Sequence, residues 1–67
     1  MADDDPFVPI IGVIYLHTSL GVFLDTESRR AFIPGLQMLA APRRLIPGET
    51  ATIFVRQSYA NKEGLLS

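Results

Sequence analysis

The residues best suited to chemistry in this chain are its arginines, four of which occur as two adjacent pairs. Arg29 with Arg30, and Arg43 with Arg44, lie beside predicted turns, and the aromatic residue Phe32 closely follows the first pair. Guanidinium groups next to aromatic faces are the chemistry of single-stranded nucleic-acid binding. The pattern therefore predicts a nucleic-acid or partner contact surface at these five residues.

The charge balance limits that interpretation. The chain has six basic and seven acidic side chains, a net charge of −1 at pH 7, whereas a nucleic-acid-binding stripe usually carries an excess of positive charge. In the other interpretation the arginines keep the surface soluble and pair with nearby acids, for example Arg29 with Glu27 or Asp25. A nucleic-acid-binding barrel is therefore the alternative function and not the first one.

Catalysis and metal binding have few candidate residues. His17 is the single histidine and there is no cysteine, so the ligands of a usual zinc site are missing. Thr18 and Ser19 follow His17, but neighbours along a strand point to opposite faces, so adjacency makes no nucleophile and base pair. The acids fall in the N-terminal leader, in turns and near the end of a predicted helix. The sequence predicts a protein that is not an enzyme, with no catalytic residue, metal site or cofactor.

The elements that position these residues begin with an apolar stretch, Pro6–Leu24, which contains no formal charge apart from His17. Eighteen or more apolar residues can span a membrane, and a single-span membrane protein is a second alternative. His17 and the two hydroxyl residues after it would then lie near the bilayer centre, where polar groups cost up to about 3 kcal/mol each. β-branched and aromatic residues, which favour strands, dominate the stretch. We therefore expect two strands, Phe7–Leu16 and Leu20–Asp25, and no membrane contact.

The first of these strands has apolar side chains on both of its faces. It lacks the alternation of polar and apolar residues that is typical of a half-exposed strand. We expect both of its faces to be covered, by the rest of a barrel or by a second subunit. Gly12 in its middle indicates a bulge or a sharp bend. Apolar residues near a later loop and at the C-terminal end offer further contacts. The predicted self-association residues are Ile11, Val13, Tyr15, Met38 and Leu65.

Turn signals divide the rest of the chain into short elements. Arg30–Ile33 is expected to form a third strand, in a hairpin with the second, and Thr50–Arg56 is the cleanest strand pattern of all. Residues 36–41 are left open between strand and helix. Residues 57–64 are expected to form a short C-terminal helix whose first turn is capped by Ser58.

Together these elements predict a mainly β fold: a small, strongly bent β-barrel, SH3-like or OB-like, of four to five short strands with a short C-terminal helix. The barrel domain is expected to cover residues 6–67. Residues 1–5, with three aspartates, are expected to form a disordered acidic leader.

Size and composition turn this fold into a functional prediction. A chain of 67 residues buries only about 60% of the surface that it exposes when unfolded, and without cysteine it has no disulfides to stabilise it. Association with another chain is one remedy, and 48% of the residues are hydrophobic. We expect a non-enzymatic interaction or assembly module that forms homo-oligomers or binds a larger protein partner. The acidic N-terminus does not resemble a secretory signal, and the absence of cysteine favours the cytoplasm.

Overall fold

The computed structural model describes residues 4–39 and 45–66, which form four antiparallel strands and a short helix. The elements are β1 (Phe7–Thr18), β2 (Gly21–Asp25), β3 (Arg30–Pro34), β4 (Thr50–Arg56) and α1 (Gln57–Lys62). The prediction of a mainly β fold with a short C-terminal helix is confirmed. The longest strand is β1, and the predicted fourth strand matches β4 in full.

β1 is shared between two partner strands, which makes it the centre of the architecture. The sheet order is β3-β2-β1-β4, and all neighbours are antiparallel. β4 pairs with the first part of β1, from Phe7 to Val13, and β2 pairs with the last part, from Val13 to Thr18. Over the described residues the sheet is not closed, so the predicted barrel is not confirmed.

The chain after β3 crosses towards the far edge of β4. Gly35–Gln37 is a 3-10 turn. Met38 then forms an isolated bridge with Val55, and the N–H of Leu39 donates a 2.8 Å hydrogen bond to the carbonyl oxygen of Phe54. The segment 36–41 therefore starts in a tight turn and continues as a bridge, while residues 40 and 41 lie outside the described part.

Two local features bend β1. The register with β2 shifts between Ile14 and Leu16, which leaves Tyr15 as the extra residue of a bulge and bends the strand. At Gly12 an added Cβ atom would lie 2.6 Å from the carbonyl oxygen of Asp25, so only glycine permits this close approach of the two strands. The irregularity expected at Gly12 is therefore divided between two positions. β1 and β2 approach each other closely at Gly12, and the bulge lies at Tyr15.

The core lies on one side of the sheet. Alternate strand residues are buried on that side because successive strand side chains point to opposite faces. Ala60 of α1 and Leu45 are buried against them, and Met38, Tyr59, Leu65 and Leu66 pack there partly buried. The buried strand residues are Ile10, Ile14, Val22, Leu24, Ala31, Ile33, Ile53 and Val55. Within the single chain only one face of β1 is covered, although both were expected to be.

The stretch weighed as a membrane span, Pro6–Leu24, contains β1 and most of β2. In residues 4–39 and 45–66 no helix has the length and the apolar character needed to cross a bilayer. The predicted second strand begins one residue later than expected, at Gly21, after a turn at residues 19 and 20.

The first residue of α1 is the predicted one, but its capping differs from the prediction and the helix ends at Lys62, two residues before the expected end. The helix begins at Gln57 and has no side-chain cap of its own, so Ser58 lies inside the first turn and cannot be the cap. The carboxylate of Asp5 instead accepts hydrogen bonds from the N–H of Ser58 at 2.9 Å and from its hydroxyl at 2.8 Å. These two hydrogen bonds, together with the charge of Arg56, lower the pKa of Asp5. Because residues 1–3 lie outside the described residues, the disordered leader over 1–5 stays a prediction.

Candidate functional site

The side of the sheet opposite the core, which we call the outer face, is dominated by apolar and aromatic side chains. Ile11 and Val13 of β1 point there because the positions between them face the core, and Phe54 of β4 does so for the same reason. Ile11 is 66% exposed and Tyr15 is 50% exposed. The residues that define the outer face are Ile11, Val13, Tyr15, Leu16, Phe23, Phe32 and Phe54.

The bulge in β1 enlarges this face. Beyond the register shift, Leu16 lies opposite Phe23 of β2, whose side chain is on the outer face. Without the bulge, Leu16 would point to the same face as Ile14, which is the core. Alternation along an unbroken strand would therefore place Leu16 in the core, whereas the structure leaves it 44% exposed.

Three aromatic rings form a contiguous row across β1, β2 and β3. The rings of Tyr15 and Phe23 meet edge to face with their centroids 6.5 Å apart. Phe23 and Phe32, which are register partners, lie 4.7 Å apart at a tilt of 42°. Such aromatic pairs stabilise their contact beyond simple burial, so this part of the outer face is preformed.

Arg30 lies against one end of the aromatic row. Its guanidinium carbon lies 3.6 Å from the centroid of the Tyr15 ring, within the range of a cation–π contact. The same guanidinium donates to both carboxylate oxygens of Asp25, with Nε 2.6 Å from Oδ1 and Nη2 3.2 Å from Oδ2. These hydrogen bonds lower the pKa of Asp25 and raise that of Arg30. The cation on this face is therefore balanced by an anion.

The structure does not bring the first pair of arginines to one surface. Arg29 reaches the C-terminal end of α1, where its Nη1 donates to the carbonyl oxygen of Glu63 at 2.7 Å, while Arg30 lies on the outer face. Phe32 is half-buried next to Phe23. Arg43 and Arg44 lie outside the described residues, so their place in the predicted surface stays a prediction.

The predicted self-association residues fall into two groups. Ile11, Val13 and Tyr15 lie together on the outer face, as the strand pattern predicted. Met38 and Leu65 are half-buried and pack against the core cluster on the opposite side of the sheet. The candidate surface is therefore the outer face of β1 and of its neighbouring strands. Met38 and Leu65 do not belong to it, because they pack on the core side of the sheet.

Two exposed leucines lie in turns at one end of the sheet and were not among the predicted residues. Leu20 is 75% exposed and Leu36 is 88% exposed. The N–H of Gly35 donates to the carbonyl oxygen of Leu20 at 2.9 Å, which holds the two leucine-bearing turns together. The sequence could have indicated both residues, because an apolar residue in a predicted turn is expected to be exposed.

No cluster able to hold a metal, defined as three or more His, Cys, Asp or Glu side chains, occurs in the described part of the chain. His17 is exposed near the end of β1, opposite Val22. Two of the acids are engaged by neighbouring groups: Asp25 by Arg30, and Asp5 by Ser58.

Comparisons with known proteins add no residue assignment to this surface. No protein-family model, curated protein or solved structure matches the chain.

Proposed function

We propose that this chain is a non-enzymatic assembly module that self-associates by packing its outer face against the outer face of a second copy. The observation that carries the proposal is the run of exposed apolar side chains along one side of β1. The largest apolar patch on a monomeric protein is often its functional surface. In this small fold the core side of β1 is already covered, and the side that carries Ile11 and Tyr15 is not.

Face-to-face packing of two sheets suits this surface. Sheets stack about 10 Å apart with their inner side chains interdigitating. A twofold axis would place the same residues in both halves of the contact. The neutral pairing of Arg30 with Asp25 is compatible with burial at such an interface, because it leaves no net charge on that part of the face.

The size of the face sets the expected strength of the contact. Four strands about 4.8 Å apart and roughly six residues long make a face of roughly 400 Å². Specific stable interfaces bury about 800 Å² per partner. The outer face alone therefore supports a weak dimer, in the micromolar range, and Leu20 and Leu36 are the residues available to extend it.

The same proposal includes the shape of the domain. Closure into a small barrel, SH3-like or OB-like, is supported by the bridge between Met38 and Val55 on the far edge of β4. It is also supported by Arg29, whose bond to the Glu63 carbonyl ties the β2–β3 hairpin to the end of α1. A curved sheet would present the outer face as its convex side.

Sedimentation velocity across the micromolar range tests self-association. The wild-type chain should move from the 7.4 kDa monomer towards twice that mass as the concentration rises. Ile11→Lys should hold the chain in the monomeric state, because a charge would replace the most exposed β1 side chain of the face. Asn61→Lys adds the same charge on the exposed surface of α1 and should dimerise like wild type. A wild-type chain that stays monomeric throughout the range would overturn the proposal.

A second candidate function uses the same face. The row of Tyr15, Phe23 and Phe32 next to Arg30 has the components of a stacking surface for single-stranded nucleic acid. The pairing of Arg30 with Asp25 and the net charge of −1 weigh against it. Binding of labelled single-stranded DNA and RNA at low salt, falling steeply with added salt and lost in Tyr15→Ala, would support this function, and a flat titration would remove it.

A further inference from the structure

The backbone edge of the first half of β1 is a second feature, separate from the outer face. β4 covers one side of the segment Phe7–Gly12, but β2 pairs with β1 only from Val13 onwards. Among the described residues no strand covers the other side of this segment. An uncovered edge offers N–H and C=O groups to another extended chain.

Hydrogen bonding next to this segment shows which groups face the free edge. The N–H of Ile14 donates to the carbonyl oxygen of Glu49, on the β4 side, at 2.8 Å. Since the backbone groups of successive strand residues point to opposite edges, Ile11 directs its N–H and C=O to the free edge, and Pro9 directs its C=O there. Pro9 has no N–H to leave unpaired, and a proline on an edge limits indiscriminate strand pairing.

A groove of about 300 Å³ lies along this edge. β1 forms one side, the tip of the β2–β3 hairpin (residues 26–28) forms the other, and Leu65 and Leu66 add apolar side chains to the lining. Thr26 holds the tip in shape, because its N–H and its hydroxyl both donate to the carbonyl oxygen of Arg29 at 2.8 Å. The groove is therefore preformed, at the small end of the size range of ligand pockets.

The groove has an acidic rim. Glu27, at the hairpin tip, is exposed and forms no ion pair with any other described residue. Arg29, close to it in sequence, is engaged by the carbonyl oxygen of Glu63. A ligand with a positive charge opposite Glu27 would therefore complement the rim.

We propose that this groove binds an extended peptide, which adds as a strand to the free edge of Phe7–Gly12. The peptide donates to and accepts from the backbone of Ile11, places an aliphatic side chain against Leu65 and Leu66, and places a lysine or arginine beside Glu27. The occupant is one extended chain and not a second copy of the domain. The segment Phe7–Gly12 of a second copy has no charged side chain to set against Glu27, whereas a basic peptide does.

NMR titration with two synthetic peptides tests the proposal. The probes are acetylated, amidated hexapeptides that alternate valine and threonine and differ only in one central residue, lysine or glutamate. The lysine peptide should shift the amide resonances of Ile11, Glu27 and Leu65 and slow hydrogen exchange at the Ile11 amide. The glutamate peptide should bind about fivefold more weakly, the upper range for one exposed charge pair. In Glu27→Lys this preference should reverse.

A matched pair of variants isolates the backbone contact. Ile11→Ala and Ile11→Pro both remove the side chain from the outer face, so they affect self-association alike, but only proline removes the N–H at the edge. Ile11→Ala gives the reference affinity for the lysine peptide with the side chain removed, and Ile11→Pro should bind about fivefold or more weakly than Ile11→Ala, the value of one hydrogen bond. If Ile11→Pro does not fold, hydrogen exchange at Ile11 in the wild-type chain decides the question.

Three results would overturn the proposal. The first is the absence of resonance shifts at millimolar lysine peptide. The second is binding that shifts only outer-face residues such as Phe54 and leaves exchange at Ile11 unchanged. The third is protection of the Ile11 amide by a rise in protein concentration alone in Tyr15→Lys, a variant whose outer face carries a charge that opposes face-to-face packing; this would show that a second copy occupies the edge.

Discussion

The hydroxyl of Tyr59 donates a 2.7 Å hydrogen bond to the carbonyl oxygen of Phe32, and so joins the helix that follows β4 to β3, the strand at the opposite edge of the sheet. Arg29 makes a second link of the same kind through the carbonyl oxygen of Glu63. These links tie the C-terminal helix and its end to the opposite edge of the sheet. Phe32 also belongs to the aromatic row on the outer face, so one residue takes part both in the link to α1 and in that face.

Tyr59→Phe should destabilise the chain by about 0.5–1.5 kcal/mol, the typical contribution of one hydrogen bond. Urea unfolding measures this change, and the circular dichroism spectrum should stay that of wild type because the ring remains in place. Burial, followed by the charge of Glu63, raises the pKa of Tyr59 above its ordinary value of 10.0. A raised pKa gives stability that is complete below pH 10 and is lost as the pH rises through the folded-state pKa.

The difference between wild type and Tyr59→Phe should therefore shrink at alkaline pH. Tyr15→Phe is the matched control, because it removes a hydroxyl from the outer face without breaking a link between the sheet edges. Equal stability of Tyr59→Phe and wild type at neutral pH would show that the link contributes nothing.

Asp5→Asn should weaken the start of α1 at neutral pH but not in strong acid. The carboxylate accepts two hydrogen bonds from Ser58, which lower its pKa from the ordinary 3.8. A lowered pKa gives stability that is present above pH 3.8 and is lost as the pH falls through the folded-state pKa. Thermal unfolding at pH 7 and at pH 2 measures the change. Asp4→Asn, which alters an exposed neighbour, should behave like wild type at both pH values.

The strands were predictable because their signals are local. Runs of apolar residues bounded by turn residues indicate all four strands, and β4 was predicted to the residue. The first residue of α1 was also predicted, but its capping was not, because the carboxylate partner comes from Asp5, 53 positions before Ser58, and no local sequence pattern indicates such a contact. The serine near the start of the helix was the nearest local signal for a cap, but the group that accepts the hydrogen bond belongs to Asp5.

The surface was predictable only in part. The side chains on both faces of β1 are apolar, so residue types alone do not indicate which face packs against the core and α1. The bulge at Tyr15 then moves Leu16 to the outer face, and a bulge in an apolar strand has no distinct residue signature. The pairing of Arg30 with Asp25 depends on the register of the β2–β3 hairpin, which places the two residues directly opposite each other.

Gly12→Ala should destabilise the chain more than Gly35→Ala. Its Cβ would lie 2.6 Å from the carbonyl oxygen of Asp25 and 2.8 Å from the Leu24 side chain, so two strands would have to separate. Overpacking of this kind costs about 1–3 kcal/mol. Gly35→Ala is the control, because its Cβ would meet only the Leu20 carbonyl oxygen at an ordinary 3.7 Å. Chemical unfolding measures the free energy of unfolding of the two variants. Equal values would contradict the close approach of β1 and β2 at Gly12.

Asp25→Asn separates the two functions considered for the outer face. It leaves the Arg30 guanidinium over Tyr15 without its anion, so two copies packed face to face would bring unbalanced positive charges together. We expect the dimer dissociation constant to rise about three- to tenfold at low salt and to return towards the wild-type value near molar salt, where screening acts within about 3 Å. Glu27→Gln removes the same charge from the hairpin tip and should leave dimerisation unchanged. Sedimentation at both salt concentrations measures the effect. If Asp25→Asn instead gained affinity for single-stranded nucleic acid while dimerising like wild type, the freed guanidinium would support the stacking function over self-association.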